Sequence, residues 1–161
     1  MTVGQRGRPR VALVFAGALS LASATAAELR VTDAGTGEAL GHLSVPEGGG
    51  WMLLWNHSVQ GFEVEDHYRN VDGAMVLIRS HLPDFAAGLD HIPGRGRQVS
   101  DGQGGYWIED LDEPVAGNAL ILRPGDQRVN HRLQTTTGTL NLTALGAGRR
   151  LRIALVEETG Q

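Results

Sequence analysis

From residue 27 onward, apolar residues occur in short runs or alternate with polar ones, and no stretch sustains a helical period over three turns. Turn residues interrupt the pattern every eight to twelve positions or so, as they do in antiparallel sandwiches and barrels. The strands this predicts are Glu28 to Thr32, Leu40 to Val45, Trp51 to Val59, Phe62 to Arg69, Ala74 to Ser80, Gly105 to Glu109, Ala119 to Arg123, Gln127 to Leu133, Thr139 to Leu142 and Leu151 to Val156. Asn70-Val71-Asp72-Gly73 reads as a hairpin turn, and Pro124-Gly125-Asp126 as another turn. The expected fold is all-β: a single antiparallel β-sandwich or flattened barrel of about eight strands. Leu82 to Gly104 is rich in glycine and proline and lacks periodicity, so it reads as a long loop, a feature more often functional than neutral.

Trp51 to Gln60 is the unusual segment, because Asn56, His57 and Ser58 follow one another at the end of an apolar strand. Polar side chains in a strand core need hydrogen-bond partners, so this end is either a polar plug or the edge of a site. Strand parity puts Trp51, Leu53, Trp55, His57 and Val59 on one face and Met52, Leu54, Asn56 and Ser58 on the other. That parity excludes a His57–Ser58 catalytic pair, and no Gly-x-Ser-x-Gly elbow is present. In the next strand Glu63, Glu65, His67 and Arg69 share a face. Two readings stand: a solvated face with cross-strand charge pairs, which is favoured, or a pocket in which Glu65 or Asp66 orients His57. Phe85-Ala86-Ala87-Gly88-Leu89 could bring main-chain N–H groups to a ligand, or make a tight turn. Arg95 and Arg97 beyond it could clamp an anionic ligand or be solvated, and the solvated reading is favoured.

Before residue 27 the chain has Arg6, Arg8 and Arg10, then an apolar run from Val11 to Leu21, then Ala24-Thr25-Ala26. This is the layout of a cleaved export signal at residues 1–26, since the apolar run is far short of the ~20 residues that span a bilayer. The mature chain at residues 27–161 is then one domain, periplasmic or secreted, with no stable membrane anchor. Without the three leader arginines, the 18 acidic residues give a net charge of −7. That sign argues against nucleic acid as a partner. All 14 basic residues are arginine, which base composition explains, and there is no cysteine, so the core alone must hold the domain. The six histidines (His42, His57, His67, His81, His91 and His131) match no short metal-ligand spacing. No metal and no cofactor are expected.

Trp55-x-His57-Ser58-Val59, an acidic residue at Glu65 or Asp66, Phe85-Ala86-Ala87-Gly88-Leu89 and the later His131-x-Leu133 together resemble a family of small exported bacterial proteins, domain of unknown function 1850. The resemblance runs from Glu28 to Val156 and rests on the order of the elements. Gln60 stands where the family usually has Glu, and Ala86 where it usually has Gly. Members often occur beside TRAP transporters of the TAXI type, so the resemblance implies a non-catalytic periplasmic accessory or ligand-binding module for a small organic anion. The candidate ligand-binding residues are His57, Ser58 and Glu65 with the backbone of Ala87 and Gly88. In this reading Glu65 fixes the His57 tautomer and Gly88 shapes the pocket. The other readings are a structural or protein-interaction domain of the cell envelope and, less favoured, an exported hydrolase or metal-binding protein.

Overall fold

Among the described residues there are twelve strands, most of them built on alternating apolar and polar positions: β1 (Ala27–Asp33), β2 (Ala39–Val45), β3 (Gly50–Asn56), β4 (Glu63–Val71), β5 (Ala74–Leu82), β6 (Arg97–Ser100), β7 (Tyr106–Glu109), β8 (Glu113–Pro114), β9 (Ala119–Leu122), β10 (Arg132–Gln134), β11 (Thr139–Asn141) and β12 (Leu151–Glu157). The computed structural model describes residues 27–46, 48–83 and 92–157. The expected leader and Phe85 to Leu89, with Ala87 and Gly88, lie outside the described residues.

The strands form two antiparallel sheets. The smaller has the order β2-β1-β12-β9; the larger runs β11-β10-β3-β4-β5-β7-β6, with β8 paired to β5. One apolar core joins them, so the architecture is the expected sandwich rather than a closed barrel. Leu29 and Val31 of β1 and Leu151 and Ile153 of β12 are fully buried on one side, as is Leu133 of β10 on the other. Leu142 seals the end from the short helix α1 (Leu142–Gly146), whose first turn is capped by Asn141 accepting from the Ala144 N–H at 2.9 Å.

The β4–β5 hairpin follows directly from its turn chemistry. Val71 pairs with Ala74, and Asp72 and Gly73 both take positive φ (50° and 80°), the conformation a tight two-residue hairpin requires. Asn70 Oδ1 accepts from the Gly73 N–H at 2.9 Å and closes the loop.

Four expectations change. Two strands were not anticipated: β6, inside the supposed long loop, and the two-residue β8. The strand expected from Gln127 to Leu133 shrinks to Arg132–Gln134, because Asp126 closes a turn with the N–H groups of Val129 and Asn130. Leu142 opens a helix instead of ending a strand. Finally, β3 stops at Asn56, so His57 and Ser58 are not strand residues.

Candidate functional site

The end of β3 is set by contacts distant in sequence. The Asn56 N–H donates to the Val129 carbonyl at 2.7 Å, and its side-chain amide to the Arg128 carbonyl at 2.9 Å. The chain then turns: the His57 N–H donates to Phe62 O at 2.7 Å, and His57 O accepts from the Gly61 N–H at 2.9 Å. Gly61 holds φ of +77°, which glycine adopts without strain. The His57 ring stacks on Phe62, centroids 5.1 Å apart, and its Nδ1 accepts from the Gln60 N–H at 3.3 Å. Ser58 and Gln60 are exposed, and Val59 is 85 % exposed. The parity drawn through His57 and Ser58 therefore ends with the strand. His57 does not join the Trp51–Trp55 face.

Glu65 lies elsewhere. It pairs with Leu54, two residues back from Asn56, and each strand residue advances roughly 3.3 Å. The structure does not bring Glu65 to His57. Instead Glu65 Oε2 meets His67 Nε2 at 2.8 Å, and Oε1 lies 3.8 Å from His81 Nδ1. His81 Nε2 is 2.9 Å from Asp101 Oδ2. Two imidazoles thus share Glu65, and one of them is also held by Asp101. Their side chains are between 11 % and 26 % exposed, desolvated enough to strengthen the pairing yet still reachable from solvent.

Asp101 is itself positioned by backbone. Its Oδ1 accepts from Gln103 N–H at 2.8 Å and Gly105 N–H at 2.9 Å, which leaves Oδ2 for His81. The Gln103 amide, then His81, hold this carboxyl below its ordinary range. Gly105 can be nothing larger: a Cβ there would stand 2.6 Å from the Leu82 carbonyl oxygen and 2.5 Å from Pro83 Cα. Burial pushes the His67 imidazole down, with the nearby Arg79 charge adding to the shift and Glu65 opposing it.

Trp107 ties the group together. It pairs across the sheet with His81, whose ring stacks on it at 4.5 Å, and His67 meets it edge-on at 5.4 Å. The Arg79 guanidinium lies over the same indole, 4.3 Å from the ring centroid. Arg79 is half-buried, and no described side chain accepts a hydrogen bond from it. A pinned planar fork with unused donors suits a carboxylate or another oxyanion. Beside His67 an open groove of about 430 Å³ runs past Met52, Ile78, Gln134 and Thr136. Among the described residues, no group of three or more His, Asp or Glu is placed to hold a metal ion.

The opposite face of β4 looks into the sandwich. Asp66 Oδ1 accepts from Ser80 Oγ at 2.6 Å, and the Tyr68 phenol lies on the same side and favours the charged carboxylate. Desolvation raises the Asp66 pKa, and Ser80, the Arg95 charge and Tyr68 offset part of that rise. Tyr68 is raised as well, first by burial and then by Asp66. Arg95 closes both arms of its fork on Glu113, at 2.6 and 2.7 Å.

Of these residues, the sequence singles out Glu65 with Asp66 as its alternate, puts His67 on the Glu65 face, notes Arg95 on a loop and names His81 only among the scattered histidines. Arg79, Asp101 and Trp107 are not found by it. Arg79 and His81 do carry a signal, since they alternate on one face of β5 as Glu65 and His67 do on β4. Taken together, the fold and this polar face define a small antiparallel β-sandwich with histidine–carboxylate pairs gathered about one tryptophan on its larger sheet. The chain belongs to the family described as domain of unknown function DUF1850, whose model matches residues 52–142. The match covers nearly all of the larger sheet and every residue of the Trp107 cluster. No curated protein and no solved structure matches the chain.

Proposed function

We propose that this protein is a non-catalytic, exported ligand-binding module that takes a small organic anion on the outer face of its larger sheet, as an accessory to a TAXI-type TRAP uptake system. The observation that carries the reading is Arg79, lying over Trp107 with its donors unused by any described side chain. The carboxylates of the cluster, Glu65 and Asp101, are paired with His67 and His81. Family membership and the N-terminal pattern of arginines, apolar run and Ala-x-Ala support export and the transporter association.

Titration calorimetry of the purified protein against acetate, succinate and glutamate tests the site. Arg79→Met should weaken binding of the preferred anion by roughly a hundredfold, the scale of a charge-assisted bidentate pair. Binding should also strengthen as pH falls through the imidazole range, because burial keeps His67 neutral in the free protein and a bound anion favours its protonation. No binding by any of the three anions, or equal binding by Arg79→Met, would sink the reading. Co-purification with the TAXI permease and its receptor tests the transporter association separately.

A further inference from the structure

A second site lies on the other face of the same strand. Between β3–β4 and the edge strand β9 is a cleft of about 260 Å³, walled by Trp55, Tyr68, Leu53, Leu120 and Leu122. Asp66 also lines it and is the only formally charged residue among its described lining residues. We propose that this cleft binds a small organic ammonium ion, with Asp66 as the counter-charge and Trp55 and Tyr68 as aromatic walls.

The sign of the ligand follows from the charges. A carboxylate offers about four acceptor positions, and the Ser80 hydroxyl takes one of those on Asp66. Arg95 lends Asp66 its charge while its Nε and one terminal nitrogen donate to Glu113. An anion entering the cleft would meet the Asp66 carboxylate; an ammonium ion adds a donor to it. His131 does not oppose the cation, since burial lowers its pKa and its Nδ1 accepts from the Gly125 N–H at 3.1 Å. It is a neutral ring stacked on Trp55 at 6.0 Å, and it holds that indole flat.

The walls set the class further. Aromatic faces attract ammonium groups, and more strongly where water is excluded. The leucines suit a short apolar body. The volume lies below the roughly 300 Å³ at which drug-sized pockets begin, so the ligand has only a handful of heavy atoms. Inner and outer sites are separated by the sheet itself, so this inference stands or falls apart from the anion site.

The test is a titration of the full-length protein with n-butylammonium, followed by tryptophan fluorescence and by amide shifts of β9 in NMR spectra. Uncharged n-butanol serves as the matched probe. The ammonium should bind, with butanol at least roughly tenfold weaker, a difference of about 1.4 kcal/mol. Asp66→Asn should bring the ammonium down to the level of butanol. Leu122→Trp, which fills the cleft and leaves Asp66 in place, should abolish binding of both, and it decides the matter if Asp66→Asn does not fold. Arg79→Met should leave ammonium binding unchanged. Equal affinity for ammonium and alcohol, retention of binding in Leu122→Trp, or no shift in β9 would overturn the proposal.

Discussion

Strand β4 presents two carboxylates in succession, and the sheet gives them opposite surroundings. Glu65 points outward, shares its oxygens between two imidazoles and stays within reach of solvent. Asp66 points inward to Ser80, Tyr68 and apolar walls, and burial raises its pKa. One step along a strand thus separates a face that can exchange protons and meet ions from one where any charge must be compensated at once. The period of two, ordinarily a device for building a core, here sorts chemistry.

The sharpest way to break that contrast is to compare truncations on the two faces. Leu133 of β10 is fully buried against the smaller sheet, so Leu133→Ala should cost about 2–5 kcal/mol from lost burial and the cavity left behind. Arg79→Met on the outer face should stay within about 0.5 kcal/mol of wild type, as substitutions away from core and buried networks do. Urea unfolding measures both. Comparable losses would mean that the outer cluster is a structural plug and not a site.

A smaller effect probes the hydrogen bonds of the two carboxylates. Ser80 is buried and donates to Asp66, so Ser80→Ala should cost about 1–2 kcal/mol by leaving a desolvated acceptor short of a donor. Glu65→Gln keeps the shape of its partner set and is closer to solvent, so less than about 1 kcal/mol is expected. Chemical denaturation at pH 7 ranks the pair. A larger loss for Glu65→Gln would reverse the assignment of the inner face as the one intolerant of unpaired polarity.

Much of this architecture was legible in the chain. Alternation located β1, β4, β5 and β12 to within a residue or two, and Asp72-Gly73 marked its hairpin. Strand β6 was invisible because Arg97-Gln98-Val99-Ser100 has no apolar alternation; β7 pairs it, and Glu109 and Asp110 engage Arg97. The misplacement of His57 has a non-local cause. Nothing in Trp51 to Gln60 announces that the carbonyls of Arg128 and Val129 will end the strand at Asn56. The outer cluster was half legible. Parity put Glu65 beside His67, but the pairing shifts by one residue between His67 and Tyr68, and that irregularity decides which β5 residues stand opposite. Without the register, Arg79 and His81 of β5 could not be set against Glu65 and His67 of β4 or Trp107 of β7.

The smallest effect is in pH dependence, and it sets the inner carboxylate against one on the surface. Asp33, in the β1–β2 turn, accepts from the Thr36 and Gly35 N–H groups and pairs with Arg149, and its pKa is lowered to about 2. The unfolded chain returns it to an ordinary value near ~3.9. Its contribution to stability is therefore complete above that value and is lost as pH falls toward about 2. Asp66 has the opposite sign. Its folded pKa is raised by burial, so the folded state holds the proton more tightly than the unfolded chain does, and acidification relieves the cost of a buried charge. Melting curves from pH 7 down to about pH 2 separate the two. Asp33→Asn should lower the midpoint at pH 7 and converge on wild type in acid. Asp66→Asn should match or exceed wild type at pH 7 and lose that advantage in acid. Parallel curves for the two variants would mean that the surface carboxylate of the β1–β2 turn and the inner carboxylate of β4 do not differ electrostatically as their surroundings require.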